Sequence, residues 1–197
     1  GPGLAFAGFP QGVGMRIMDA GTVGNKVVGS WCGLTLGANQ EILVDGLQED
    51  CIHIANGASD NIVGGPAPAD RNVLSGSVLG FGVALHDDAT RNNVVQGNYI
   101  GTDPTGKVAA GNGSGIMIAD QASGTKVVSN VVSGNRNAGI LASGCSTEFG
   151  RTTTLIEGNI VGADAGGNAP VPNGAYGIEI RGEARSAPAK DVKVLDN

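Results

Sequence analysis

The chain has 197 residues and a formal net charge of −6; 41% of its residues are hydrophobic, 4% are aromatic and 35 are glycine. A negative charge without a Lys/Arg cluster argues against nucleic acid as a partner, and no apolar run approaches the roughly 20 residues that span a bilayer, so no membrane insertion is expected. The glycines follow no triplet period, which excludes collagen and indicates many tight turns.

The N-terminal residues 1–14 are rich in glycine and proline. They are predicted to cap the first coil of a repeating fold or to continue it from a longer parent chain. Residues 25–35 form the first full turn and parallel a later unit, residues 92–120, position by position. Trp31 stands where the later unit has Tyr99, and we expect it to pack against a neighbouring coil.

Residues 92–120 are the clearest copy of the repeat. A β-rich run at 93–98 leads into a short strand at 99–101, a Gly/Pro/Asp excursion follows, and residues 115–118 alternate apolar positions with period two. This pattern predicts three short strands separated by turns.

The closing strand of this unit recurs six times, at intervals of roughly 24 to 38 residues, which is typical of solenoids, propellers or arrays. The six copies are residues 15–17, 52–54, 83–85, 116–118, 140–142 and 178–180. A propeller blade needs four longer strands, so we predict an all-β parallel solenoid of about six coils, each with three short strands, stacked ~4.8 Å apart. In this register Ile54, Leu85, Ile118 and Ile180 form one column.

A second column supports the same register, because a polar residue closes an equivalent strand in several coils. Its members are Ser30, Asn98, Asn130, Asn159 and Asn197. An asparagine at a bend adopts left-handed dihedral angles readily and can hydrogen-bond its copies above and below. We therefore predict an asparagine ladder.

The second half of the chain continues the pattern. The shortest coil is residues 126–142, a polar excursion follows at 145–151, and the loop at 162–174 repeats the insertion at 102–113. Residues 191–197 begin another coil. An unpaired solenoid edge is normally capped, so residues 1–197 are predicted to be a single domain that is a fragment of a longer solenoid or a unit that stacks end to end.

The three cysteines are Cys32, Cys51 and Cys145, an odd number too small for a disulfide scaffold. Two interpretations stay open. The cysteines are buried as small hydrophobic residues, or Cys32 and Cys51 form one bridge.

The outward positions of the six-copy strand give the best candidate for an active site. They are Arg16, His53, Ala84, Met117, Leu141 and Glu179, with His86, Asp87, Asp88 and Asp120 just beyond. If the coils stack in register, His53 and a nearby carboxylate can supply general acid–base chemistry. Apolar residues interrupt this stripe, however, and glycoside hydrolysis needs a carboxylate pair at a definite separation. We therefore assign no catalytic residue and expect these side chains to solvate a sheet edge.

Calcium is a weaker candidate ligand, since oxygen-rich turns suit that ion. Its ligands would be Asp87, Asp88 and Asp120, or Asp103 and Asp164 in the two equivalent loops. Turn capping explains each aspartate equally well, so no cofactor or metal is assigned. Residues 101–107 have the glycine and lysine spacing of a phosphate-binding loop, but Val108 replaces the Ser/Thr that follows it, and a proline-centred turn is predicted instead.

The run 92–103, the following Gly111, Asn112 and residues 115–118, together with residues 72–76, resemble bacterial right-handed parallel β-helix repeat proteins of the pectin-lyase-like superfamily. The resemblance covers roughly residues 12–197 and weakens toward the N-terminus. It implies a right-handed, single-stranded β-helix. The superfamily includes polysaccharide lyases, glycoside hydrolases, epimerases and phage tailspikes, whereas the subgroup with this Gly-Thr-Asp repeat is found mostly as non-catalytic modules of long secreted or surface proteins.

The expected function is accordingly a non-catalytic structural or adhesive module, extracellular or at the cell surface. Its expected partners are further copies of itself through the solenoid ends, other surface proteins, or polysaccharide. The alternative is a polysaccharide lyase, hydrolase or epimerase, or a carbohydrate-binding module, that uses the face around His53, His86 and Asp87.

Overall fold

The computed structural model of the protein describes residues 3–9, 12–38, 41–44, 46, 49–144, 152–182 and 189–197. The described residues form 20 short strands. In chain order they are β1 Leu4–Phe6, β2 Met15–Met18, β3 Lys26–Val27, β4 Ser30–Cys32, β5 Leu34–Leu36, β6 Ile42–Val44, β7 Ile52–Ala55, β8 Ile62–Gly64, β9 Val73–Leu74, β10 Phe81–Leu85, β11 Val94–Gln96, β12 Tyr99–Ile100, β13 Ser114–Ile118, β14 Lys126–Val128, β15 Val131–Val132, β16 Ile140–Ser143, β17 Thr154–Glu157, β18 Ile160–Val161, β19 Ile178–Arg181 and β20 Val192–Leu195.

Eighteen of these strands form three parallel sheets of six. Sheet 1 has the order β1-β4-β9-β12-β15-β18, sheet 2 the order β2-β7-β10-β13-β16-β19, and sheet 3 the order β3-β8-β11-β14-β17-β20. The chain visits sheet 2, sheet 3 and sheet 1 in turn, so each circuit adds one strand to every sheet. This is a right-handed parallel β-helix of about six coils, as the sequence predicts.

The predicted register is also confirmed. Arg16 pairs with His53, His53 with Ala84, Ala84 with Met117, Met117 with Leu141, and Leu141 with Glu179. Two elements were not predicted. The strands β5 and β6 form an antiparallel hairpin between the first and second coils, and β1 adds a strand to sheet 1 beside β4.

The core is a stack of aliphatic side chains inside the three sheets. Ile54, Leu85 and Ile118 lie in one column on sheet 2 and are fully buried, as are Val63, Val95 and Val127 on sheet 3. Burying this surface stabilises the fold by about 25 cal/mol per Å² of apolar area. Trp31 and Tyr99 pack outside this core, against a small cluster of Leu34, Val73 and Ala110.

One disulfide closes the loop that carries the β5–β6 hairpin. Cys32, at the end of β4, is bonded to Cys51, which precedes β7, across a sequence separation of 19 residues. Closing a loop of this length is expected to stabilise the folded state by about 3 kcal/mol through the entropy of the unfolded chain. Of the two interpretations left open for these cysteines the structure has the bridge; Cys145 lies outside the described residues.

Helix is almost absent from the described part of the chain. It consists of one 3-10 turn, Pro68–Asp70, and no described helix has the length and hydrophobicity required to cross a membrane.

Candidate functional site

The candidate site lies at one edge of sheet 2, where β7, β10 and β13 end. Parallel strands end at the same edge, so the turns that follow these strands are stacked on one another. His86 and Asp87 follow β10, and Asp120 follows β13. His53 lies on the outward face of β7. The fold therefore brings together four of the residues that the sequence singled out.

His53 is anchored by a carboxylate that the sequence analysis did not identify. Its Nδ1 lies 2.8 Å from Oδ2 of Asp50, which belongs to the segment just before β7. The other oxygen of Asp50 accepts a hydrogen bond of 2.9 Å from the backbone N–H of Phe81. Asp50 is buried, so these bonds replace its lost hydration and fix the ring of His53.

The two histidines contact each other directly. Nε2 of His53 lies 2.9 Å from Nε2 of His86, and the two rings meet edge to face with their centroids 4.6 Å apart. In sheet 2, His53 pairs with Ala84 of the next coil. His86 lies two residues after Ala84 on the same outward face.

His86 has carboxylates on its other side. Its Nδ1 lies 3.1 Å from Oδ1 of Asp87 and 3.8 Å from Oδ2 of Asp120. Burial raises the pKa of Asp87, but the hydrogen bond from the backbone N–H of Asn56 and the neighbouring His86 outweigh it, so the pKa lies below its ordinary value. Asp87 has a left-handed φ of 78°, which aspartate tolerates better than most residues.

These contacts form a chain of three hydrogen bonds: Asp50 to His53, His53 to His86, and His86 to Asp87. Two carboxylates from successive coils are thereby joined through both imidazole rings.

The other outward positions of sheet 2 do not join this cluster. Arg16 pairs with Glu49 at 3.8 Å, and Glu179 pairs with Arg181 at 3.4 Å. Met117 and the nearly buried Leu141 separate Glu179 from the histidines. Asp88 is exposed on the turn after Asp87. The face thus carries one compact polar cluster and no continuous acidic groove among its described residues.

Asp103 and Asp164 cap two equivalent turns. Oδ1 of Asp103 accepts from the backbone N–H groups of Lys107 and Val108, both at 3.0 Å, and Oδ1 of Asp164 accepts from Asn168 and Ala169 at 2.8 and 3.2 Å. The carboxylate oxygens that a calcium site would use are therefore bonded to the loop itself. In Asp103, burial raises the pKa, but the bonds from Val108, Thr105 and Lys107 outweigh it and the pKa is lowered.

These caps predict a specific acid sensitivity. An aspartate whose pKa is lower in the folded than in the unfolded state stabilises the fold above the unfolded value of about 3.9, and this contribution is lost as the pH falls through the folded pKa. Asp103→Asn removes the charge and keeps an acceptor oxygen. We expect it to lower the unfolding free energy at pH 6, with the difference from the wild type shrinking by pH 3. Urea unfolding at both pH values tests this; a difference independent of pH would contradict it.

Asparagine side chains form three ladders along the axis. In the first, the side-chain oxygens of Asn72, Asn98, Asn130, Asn159 and Asn197 each accept hydrogen bonds from the residue one coil before, starting at the backbone N–H of Ser30. The sequence analysis placed Ser30, Asn98, Asn130, Asn159 and Asn197 in this column but missed Asn72. The second ladder joins Asn25, Asn61 and Asn93, and the third joins Asn112, Asn135 and Asn173.

No family model, curated protein or solved structure matches this chain. The parallel β-solenoid architecture stands on the three sheets and their register, and the resemblance to the pectin-lyase-like superfamily rests on the repeat residues alone.

Proposed function

We propose that this chain is a non-catalytic β-solenoid module, with a structural or adhesive role in a secreted or cell-surface protein of the pectin-lyase-like type. One observation carries the proposal. All four ring nitrogens of His53 and His86 already have partners within the protein: Asp50, each other, and Asp87. A general acid or base needs a nitrogen within hydrogen-bond reach of its substrate. Here both rings instead connect neighbouring coils.

The geometry of the parallel β-helix favours a structural role as a stiff rod. Three sheets and the longest asparagine ladder run through the described coils, so backbone and side-chain hydrogen bonds point along one axis. In repeat proteins each unit contacts only its neighbours, and stability accumulates along the stack. Such a body transmits force along its axis and presents its insertion loops on the outside.

The last strands offer a surface for a further coil. Ile180 is 45% exposed, Val194 41% and Leu195 45%, and they lie on β19 and β20, the last strands of sheets 2 and 3. Another coil or a second copy of the chain that pairs with these strands would bury this apolar surface and satisfy the backbone groups of the edge. End-to-end association is part of the proposal. The Cys32–Cys51 bridge supports an oxidising, extracellular setting.

A groove beside Tyr99 favours a second candidate, carbohydrate binding. Arg71, Gln96 and Tyr99 line a cavity of about 300 Å³, and the guanidinium of Arg71 lies 4.1 Å from the centre of the Tyr99 ring. An aromatic ring beside polar side chains suits a sugar. Arg71 covers one face of the ring.

The test is an assay of reducing ends and unsaturated products on a panel of polysaccharides, with wild-type protein, His53→Ala and Asp87→Ala. We expect the wild-type protein to show no more turnover of any polysaccharide than the two variants show. Activity that either substitution abolishes would defeat the proposal, while binding without turnover that Tyr99→Ala removes would favour the second candidate. Light scattering at increasing concentration tests association, and a strictly monomeric protein would remove the end-to-end part.

A further inference from the structure

Three potential metal ligands meet at the outer end of the histidine pair. Nδ1 of His86 and carboxylate oxygens of Asp87 and Asp120 all lie within 4.8 Å of one another. The distances from Nδ1 to the oxygens of Asp87 and Asp120 are 3.1 and 3.8 Å. Ligand atoms at ~2.0–2.2 Å from a tetrahedral Zn²⁺ are separated by roughly 3.4 Å, which lies between these two distances. Two of the three separations among the ligand atoms are therefore close to those around a zinc ion.

The residues behind this group orient it as metal ligands are oriented in proteins. A ligating histidine donates its second ring N–H to an acceptor, and that acceptor fixes the ring and its tautomer. Here Nε2 of His86 faces Nε2 of His53, and Asp50 holds the opposite nitrogen of His53. The carboxylate of Asp87 is fixed as well, because its Oδ2 accepts the backbone N–H of Asn56 at 3.1 Å and leaves Oδ1 toward His86.

With a cation at Nδ1 of His86, every ring nitrogen of the pair keeps a partner, because Nε2 of His86 faces Nε2 of His53 and Nδ1 of His53 lies 2.8 Å from Asp50. Positive charge from the ion offsets the carboxylates of Asp87 and Asp120.

We propose that His86, Asp87 and Asp120 bind a divalent transition-metal ion such as Zn²⁺, with His53 and Asp50 as positioning residues. One imidazole and two carboxylates suit zinc and its neighbours in the first transition row, whereas calcium takes six to eight oxygen ligands. Asp87 and Asp120 come from successive coils, so the ion would connect two coils directly and a third through the contact of His86 with His53. The site goes beyond the structural role proposed above, because it gives the same histidine pair a metal ion as a further partner.

Isothermal titration of metal-free protein with Zn²⁺ at neutral pH tests the site. We expect one ion per chain in the wild type, no binding in His86→Ala, and at least a tenfold weaker binding in Asp120→Asn. The side chain of Asp120 is 57% exposed, so this variant folds even where His86→Ala does not, and far-UV circular dichroism verifies both. Asp60→Asn removes the same charge from an exposed turn away from the three ligands and is expected to bind zinc as the wild type does.

His53→Ala separates positioning from ligation. It leaves the three ligands in place, and we expect it to retain a stoichiometry of one ion while weakening binding about 10- to 100-fold. Cobalt(II) bound in place of zinc should give the visible absorption of a four-coordinate nitrogen and oxygen site. The proposal is overturned by a wild type that does not take up zinc, by affinity unchanged in Asp120→Asn, or by Ca²⁺ binding the same residues more tightly than Zn²⁺.

Discussion

Asn98→Ala is expected to lower the free energy of unfolding by about 3 to 5 kcal/mol, because it removes the centre of the longest asparagine ladder. Asn98 is fully buried. Its side-chain amide donates to Val63 O at 2.9 Å and to Asn130 Oδ1 at 3.1 Å, and its Oδ1 accepts from both the backbone N–H and the side-chain amide of Asn72. Alanine leaves several of these buried groups short of a partner, at about 1 to 3 kcal/mol for each group that becomes unsatisfied.

Asn197→Ala is the matched control, since it removes the same residue type from the exposed end of the same ladder. We expect it to cost only about 1 kcal/mol, because water can reach the groups it releases. Urea unfolding followed by circular dichroism measures both variants, and either an equal loss in the two or no loss in Asn98→Ala would show that the ladder does not carry the stability of the stack.

The coil register could be predicted because its signal is local and repeated. Each strand of sheet 2 is a pair of apolar residues around one outward residue, and the loops absorb all differences in length. A shift by one residue would turn Ile54, Leu85 and Ile118 outward together, so burial enforces one alignment. Six short copies therefore specify the stack although none of them is long enough to be distinctive alone.

Asn72 was missed because an insertion separates it from the strand that precedes it. In other coils the ladder residue follows a strand of sheet 3 after one or two residues, as Asn98 follows β11 and Gly97. Before Asn72 the chain inserts residues 66–71, which include the 3-10 turn Pro68–Asp70. The constant feature is instead the strand that follows, since Ser30, Asn72 and Asn98 each stand at or immediately before the start of a strand of sheet 1.

The candidate site was predicted only in part, for a related reason. The period places His53, His86 and Asp120 at one edge, but Asp50 precedes β7, and no other copy has an acidic residue three positions before its outward residue. The contact of His53 with Asp50 depends on how that carboxylate is held by the N–H of Phe81. Such contacts depend on side-chain shape in three dimensions, which a periodic pattern does not encode.

The second large effect is expected at Gly101, where backbone conformation and close packing coincide. Gly101 has a φ of +89° and follows β12. A Cβ at this position would overlap the backbone oxygen of Ser133 and the side-chain oxygen of Asn135, both in the next coil. Asn135 belongs to the third ladder, so a shift there also disturbs its bonds to Asn112 and Asn173.

Gly162 provides an internal reference for this prediction. It occupies the same column two coils further on, with a φ of +83°, and no described atom lies within 4 Å of the position of its Cβ. Gly162→Ala is expected to cost about 1 to 2 kcal/mol for the left-handed backbone alone. Gly101→Ala should cost about 2 to 5 kcal/mol, because overpacking against the next coil adds roughly 1 to 3 kcal/mol to the backbone cost. Unfolding of both variants in urea measures the difference, and equal losses would mean that the coils are not in the close contact on which the rod depends.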